Sequence, residues 1–253
     1  AAALFHGADA FGPGPWAAPL LWLGVAEGTP CTKPSSQSFD LGGYHLLRNA
    51  SAMAVLRYPR FRFRPSQADA LHVDLWHDGI NLLRDAGTFS YNTAGDEWFA
   101  STAAHNTIEF DERDQMPRLG RFLFGDWLTA EAVEPVLDDG VESSAAAQYT
   151  DACGARHHRA VTLSTGSFIC VDKISGKFRK ALVRWRLAPG DWQRNGDAVR
   201  SGNYSIALEL DGVPIRPTLG TTLESRYYLN KTEIPEISYK VSRPGLLVTK
   251  VTF

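Results

Sequence analysis

From Gly43 to Thr252 the chain is a succession of short runs rich in β-branched and aromatic residues, each closed by a turn signal, and this recurrence narrows the fold more than any other feature. In the first half the runs are Ser51–Tyr58, Phe61–Arg64, Leu71–Trp76, Ile80–Arg84, Thr107–Phe110 and Trp127–Ala130. In the second they are Arg159–Ser164, Ser167–Ile174, Ala181–Leu187, Tyr204–Leu210, Thr222–Leu229, Ile237–Val241 and Leu246–Thr252. Val183-Arg-Trp-Arg-Leu187 and Phe61-Arg-Phe-Arg64 alternate apolar residues with arginine, as strands do when one face meets a core and the other meets solvent. No stretch keeps the i, i+3, i+4, i+7 spacing and cap of a long amphipathic helix. So much strand in one sheet would leave a face bare, so the expected fold is all-β, a two-sheet antiparallel β-sandwich.

The beginning reads differently. Gly12-Pro13-Gly14-Pro15 and Cys31-Thr-Lys-Pro-Ser-Ser-Gln-Ser38 are loop chemistry, so residues 1–42 are expected to form an irregular lead-in packing on a sandwich domain of residues 43–253. The apolar piece Pro15 to Val25 contains two prolines and is too short to span a bilayer, so no membrane partner is expected. With 26 basic and 28 acidic side chains there is no basic bias for polyphosphate, and nucleic acid is not an expected partner. Cys31, Cys153 and Cys170 lack metal or redox spacing; they cannot all pair, and a Cys153–Cys170 bond is left open. Ser143–Ala147, the one low-complexity stretch, is expected to be a loop. The sequence starts without a Met or a charged leader, so a signal peptide is expected to be already removed or absent; a periplasmic or secreted location is preferred, and the compartment stays open.

Polar chemistry concentrates between Ser66 and Trp127. Asp78-Gly79 between two apolar runs signals a two-residue hairpin turn with positive φ at both positions. Pairing centred there sets His72 opposite Asp85, on one face with Cβ atoms about 4.5–5.5 Å apart. Asp85-Ala-Gly-Thr ends that strand and His105-Asn106-Thr107 opens the next, so a second histidine can return to the same end of the sheet. His72, Asp85 and His105 then make a ligand set for one structural divalent metal, zinc by donor type. The other reading, in which Asp85 only fixes the His72 tautomer in a satisfied polar pocket, stays open. His77 adjoins the turn and is expected to be solvated. His157 and His158 point to opposite faces of a strand and make no joint ligand set.

Asp69 with His72, then Gly79, Asp85-Ala-Gly-Thr-Phe-Ser-Tyr91 and Ala104-His-Asn-Thr107, follow one another in a distinctive order and spacing. On these residues the chain resembles the C-terminal β-sandwich domain of the heparinase II/III family of polysaccharide lyases. Gly42-Gly-Tyr-His-Leu-Leu-Arg48, His158-Arg-Ala-Val-Thr-Leu163 and Val171-Asp-Lys-Ile174 extend the resemblance over nearly the whole chain. One departure stands out: the family's His-x-His-x-Asp has Pro65 and Gln67 here in place of its histidines. Gln67 can only hydrogen-bond, so either His72, which the hairpin register favours, or His77 is expected to take over the role, or the metal site is weaker or absent.

The resemblance implies a supersandwich-like fold and β-elimination on uronic-acid-containing acidic polysaccharide. It also implies a partner, an N-terminal α/α toroid domain of the same protein, which nothing in this chain reads as; without it the chain is expected to be inactive. The implied catalytic residues are His72, Gln67 and His105. Substrate binding is expected at Arg64, Arg84, Asn106, Arg113 and Trp98, with Arg62, Arg118, Arg121 and Trp127 as further candidates, because guanidinium groups match carboxylates and sulfates and flat rings stack on sugars. A non-catalytic carbohydrate-binding or structural sandwich is the alternative, and Gln67 favours it.

Overall fold

Asp78 and Gly79 both adopt left-handed backbone, with φ of 46° and 79°, as an Asp-Gly hairpin turn requires. The turn joins β6 (Val73–His77) to β7 (Ile80–Leu83) in a computed structural model that describes residues 8–9, 14, 17–26, 28–30, 34–93 and 95–253. His77 pairs with Ile80 and Trp76 with Asn81, as the centred turn predicts, and a register shift then sets Leu75 opposite Leu83.

The chain divides into two units, Ala1–Ser35 and Ser36–Phe253. In the first, β1 (Ala8–Asp9) pairs in parallel with β2 (Thr29–Pro30), and a short helix, Ala18–Trp22, carries proline in its first turn. His6 and Cys31 lie outside the described residues. No helix among the described residues is long and apolar enough to cross a membrane.

The second unit is built from antiparallel sheets. One has the order β3 (Gln37–Phe39), β4 (Tyr44–Arg48), β5 (Ala52–Arg57), β6, β7. A second runs β20 (Thr218–Tyr227), β21 (Asn230–Val241), β15 (Ala181–Arg186), β8 (Ile108–Phe110). The largest runs β11 (Glu131–Asp138), β12 (Glu142–Thr150), β13 (Ala155–Ser164), β14 (Ser167–Gly176), β22 (Gly245–Thr252), β18 (Tyr204–Leu210), β17 (Ala198–Ser201), β16 (Gln193–Asn195), with β19 (Val213–Ile215) on β18. A small hairpin, β9 (Arg118–Gly120) and β10 (Leu123–Phe124), stands apart. The Arg84 N–H donates to the Arg186 carbonyl at 3.0 Å and the Ala188 N–H to the Leu82 carbonyl at 2.9 Å, which joins the first two sheets edge to edge. They form one layer of the sandwich and the large sheet forms the other. One apolar core, including Leu56, Leu75, Phe168, Trp185 and Val251, draws on all three sheets.

Several expectations need correction. Ser143–Ala147 is not a loop but the inward part of β12, where small residues allow the layers to approach closely. Phe61–Arg64 and Trp127–Ala130 form no strand, and Phe63 is 84% exposed, because their alternation has no neighbouring strand to complete a ladder. Arg186 does not face solvent; it is fully buried and donates to Thr222 Oγ1 at 3.1 Å and to the Leu223 carbonyl. His77 is not solvated either, since its ring stacks on Phe253 with centroids 4.2 Å apart. Cys153 and Cys170 are both free thiols.

Candidate functional site

His72 and Asp85 lie just beyond the β6–β7 ladder, one before β6 and one after β7, and meet at the open end of the hairpin. His72 Nε2 is 3.7 Å from Asp85 Oδ2. Two short 3-10 turns, Asp96–Ala100 and Thr102–Ala104, return the chain so that His105 Nδ1 donates to the same Oδ2 at 2.6 Å. The two imidazoles cross edge to face with centroids 5.5 Å apart, and ligand-capable atoms of the three residues lie within 4.8 Å of one another.

Asn106 holds this arrangement together. Its backbone N–H donates to His72 Nδ1 at 3.0 Å, its side-chain amide donates to the carbonyls of Val73 and Arg84, and its Oδ1 accepts from the Arg186 N–H at 2.7 Å. Gln115 pairs with both backbone groups of Ala70 at 2.9 Å, and Thr107 Oγ1 donates to the Ala70 carbonyl, which fixes the turn leading into His72. On the Asp85 side, Oδ1 accepts from the Gly87 N–H at 2.7 Å. Gly87 has φ 75°, and a Cβ there would sit 2.1 Å from the Ser225 carbonyl oxygen, so β20 can approach only because this residue is glycine.

The electrostatics follow from these contacts. Because Nδ1 of His72 accepts from Asn106, the neutral ring carries its proton on Nε2, which faces Asp74 at 3.5 Å as well as Asp85. Burial opposes a charge on His72, and Asp74, Asp85 and Asp69 more than offset it and raise the pKa. The Asn106 amide needs a lone pair on Nδ1 and opposes the second proton, so we take the Nε2–H tautomer as the resting form. Burial also pushes the Asp85 carboxyl up, but His105 and then His72 hold it well below the usual carboxylate range.

The Asp85 and Asp74 side chains are 37% and 30% exposed, whereas those of His72 and His105 are 8% and 2% exposed. These four residues line a cavity of about 240 Å³ with Tyr44, Val55, Arg57, Gln67 and Asp69. Four polar atoms at this one cavity are buried without a hydrogen-bond partner: Gln67 Oε1, Asp69 Oδ1, His72 Nε2 and His105 Nε2.

Of the residues singled out in the sequence, His72, Asp85, His105 and Gln67 are thus brought together. Asn106 is fully buried and spends its polar groups on the protein, so it offers none to a substrate. Arg84, also expected to bind substrate, is buried against both carboxylate oxygens of Glu224 at 3.0 and 2.9 Å. Arg113 is paired with Asp151 at 2.7 Å. Trp98 is half-buried beneath the Arg186 guanidinium, 5.3 Å from its ring centroid. Arg64 lies in the exposed segment ahead of Gln67. Sequence reasoning missed Gln115, Asp74 and Tyr44; of these, Asp74 alone carried a signal, as the acidic neighbour of His72 two residues along.

The profile of the family described as Heparinase II/III-like, C-terminal, matches residues 32–221. A heparin-sulfate lyase of Bacteroides thetaiotaomicron is 28% identical over 118 residues, which span 40% of this chain and 16% of that protein. Among solved structures, a heparinase III superposes with a TM-score of 0.72 at 16% identity over 94% of this chain and 39% of its own. A heparan sulfate lyase of Pedobacter heparinus gives 0.70 at 16% identity, covering 93% and 39%. This chain therefore spans well under half of these relatives, and its likeness to the solved structures is one of fold. On the extent of the profile match, the chain belongs to the heparinase II/III-like C-terminal domain family.

Proposed function

We propose that this domain is the β-sandwich portion of a polysaccharide lyase that cleaves uronic-acid-containing acidic polysaccharide by β-elimination. It lends Gln67, His72, Asp85 and His105 to a cleft shared with an N-terminal toroid domain of the same protein. The observation that carries this reading is the convergence of four unpaired buried polar atoms on one cavity. Each costs about 1–3 kcal/mol when left unmet, a cost that ligand contact can relieve. The relatives, named as heparin-sulfate and heparan sulfate lyases, supply the substrate class.

β-Elimination requires that the uronate carboxylate be neutralised, that the C5 proton be removed, and that the departing oxygen be protonated. The first two tasks fall to the toroid by family resemblance. For the third, the neutral His72 Nε2–H, facing Asp74 and Asp85, donates a hydrogen bond that steadies the departing oxygen while solvent supplies its proton, and Asp85 keeps His105 oriented beside it. Gln67, at the cavity edge, orients a sugar hydroxyl through its amide.

The same residues match a divalent ion such as zinc by donor type, with two imidazole nitrogens and a carboxylate oxygen converging, but Nδ1 of His72 accepts from Asn106, so zinc would bind Nε2 only by displacing its proton or that contact. Asp69, Asp74 and Asp85 also outweigh Arg57 in the cavity, an excess of negative charge unfavourable to a polyanion. A bound zinc would neutralise that excess and polarise an oxygen placed on it. Elemental analysis of protein purified without added metal tests the site: about one equivalent per chain supports it, and none leaves a hydrogen-bonded triad.

The lyase reading is tested by the ultraviolet absorbance of the unsaturated product, with heparan sulfate, hyaluronan and alginate as substrates. The domain joined to its toroid should give product and this chain alone should not. Intact sugar binding with no product from any polymer would leave the second reading, a non-catalytic carbohydrate-binding sandwich, which Gln67 in a histidine position favours.

A further inference from the structure

We propose that a second saccharide subsite adjoins the histidine cavity and takes one sugar ring bearing a carboxylate or sulfate. The proposal rests on the reading of the domain as part of an acidic-polysaccharide lyase, and adds where the next ring of the polymer lies.

A groove of about 180 Å³ runs between the 88–100 loop and the β9–β10 hairpin, with Tyr91, Phe122, Arg118 and Arg121 among its walls. That is the space of roughly six waters, enough for one pyranose ring. Gln67 lines both this groove and the histidine cavity, so the two adjoin at this residue, and its Oε1 is a buried acceptor without a partner. An acceptor left unpaired at the junction of two cavities suits a hydroxyl near a glycosidic link.

The walls are amphipathic and pre-formed. Tyr91 and Phe122 pack edge to face with centroids 5.3 Å apart, and Tyr91 also meets Tyr228 at 5.8 Å. Tyr91 and Tyr228 remain about half exposed, at 53% and 52%, which gives flat apolar surface for the C–H face of a sugar. The Tyr91 N–H donates to Tyr228 Oη at 3.1 Å, so the ring is carried on an anchored backbone. Arg118 is a strut: it donates to the carbonyls of Glu97 and Arg121 and lies over Phe124, tying hairpin to loop. Among the described residues Arg121 donates from Nη1 alone, to Asn92 Oδ1 at 2.8 Å, which leaves its remaining donors for a ligand.

Two carboxylates also line the groove. Asp96 is paired with Lys231, and Glu97 accepts from the Gly95 N–H at 2.8 Å. With Asp96 neutralised, the two arginines outweigh Glu97, and the planar donors of Arg121 match a carboxylate or sulfate better than a hydroxyl. The groove is therefore suited to an acidic sugar rather than a neutral one.

The test is calorimetric titration of this chain with defined oligosaccharides from heparan sulfate and hyaluronan, and with their desulfated or carboxyl-reduced forms, at physiological ionic strength. Tyr91→Ala and Arg121→Ala should each weaken binding of the acidic forms about tenfold. Arg121→Ala should also abolish the preference over the neutral forms, and Tyr91→Phe should bind nearly as the parent does. Arg200→Ala, at an exposed arginine on β17, controls for general charge attraction and should change nothing. Thermal unfolding of each variant checks folding, which the exposure of both side chains favours. If the parent binds but Tyr91→Ala and Arg121→Ala bind equally well, the subsite is wrong and the lyase reading stands. If the parent binds none of the acidic oligosaccharides, the subsite is likewise wrong, and the lyase reading is decided separately by product formation from the domain joined to its toroid.

Discussion

Arg159 and Asp172 stand directly opposite each other on β13 and β14 and form a two-pronged ion pair in the core, with Nε 2.6 Å from Oδ1 and Nη2 3.0 Å from Oδ2. Both side chains are fully buried, and His157 Nε2 shares the same Oδ1 at 2.6 Å. The remaining nitrogen, Nη1, crosses to the other layer of the sandwich and donates to the carbonyls of Leu71 and Asn106, each at 2.6 Å. Leu71 is left-handed, with φ 59°, an unusual conformation for a branched residue, and it immediately precedes His72; Asn106 immediately follows His105. One guanidinium thus braces both histidines of the cavity from within the core.

Arg159→Met should therefore cost about 3–5 kcal/mol, because it strands a buried carboxylate, and urea denaturation reads this directly. Replacing both partners, as in Arg159→Met with Asp172→Leu, should recover much of the stability while leaving Leu71 and Asn106 unbraced. Oligosaccharide binding should stay weak in the double variant. Full recovery of binding would mean that the pair only stabilises the fold.

The parts of this site that could be read from sequence are those set by local rules. The Asp78-Gly79 turn sets the first pairs of the hairpin, but a register shift beyond Trp76 puts Leu75 opposite Leu83, so His72 and Asp85 are not the expected ladder pair and meet at 3.7 Å past its end. Arg159 acts on residues 88 and 53 positions away, and no period or turn signal encodes such contacts. The alternation in β15 was legible, but its assignment of arginine to solvent fails at Arg186, whose carbonyl partner on β20 comes from a distant hairpin. The same limit explains Arg84 and Asn106: each has the chemistry of a substrate ligand, and only the fold reveals that Glu224 and the surrounding backbone already occupy them.

Stability should fall in mild acid before any carboxylate is titrated. Burial pushes His45 down to about 4, against the smaller pulls of the Ala146 carbonyl and Asp40, and it lowers His157 as well despite Asp172. A histidine depressed in the folded state takes up its proton more readily when unfolded. Its contribution is complete above about pH 6.5 and is lost as the pH falls towards 4, amounting to about 3 kcal/mol for His45 alone. His45→Gln should lower the plateau and flatten the slope between pH 6.5 and 4.5 in equilibrium unfolding. An unchanged slope would remove His45 as the source.

Two left-handed glycines should respond unequally to alanine. Gly79 has φ 79° with nothing within 4 Å of the place a methyl group would take, so Gly79→Ala carries only the backbone penalty of about 1 kcal/mol. Gly87→Ala adds a methyl 2.1 Å from the Ser225 carbonyl oxygen, forcing β20 away from the Asp85 turn. It should cost well over 2 kcal/mol and also weaken oligosaccharide binding. Comparable melting temperatures for the two variants would contradict the close approach.

Lys231 should act as a latch on the loop that forms one wall of the groove. Its ammonium pairs with Asp96, whose side chain is almost buried, and lies 4.0 Å from the Phe89 ring centroid. The Leu229 N–H donates to the Phe89 carbonyl at 2.8 Å, so the tip of the β20–β21 hairpin holds the same loop by its backbone. Lys231→Met keeps the aliphatic reach but leaves the Asp96 carboxylate without its cation, a loss of about 1–3 kcal/mol. Because the backbone contact survives, the effect should be local: amide exchange across 88–100 should quicken about tenfold or more while β13 and β14 stay protected. Adding Asp96→Asn removes the stranded charge and should restore part of that protection, giving a coupling energy in a double-mutant cycle. Uniform acceleration throughout the domain, or no coupling between the two positions, would count against the latch and leave Lys231 an ordinary surface cation.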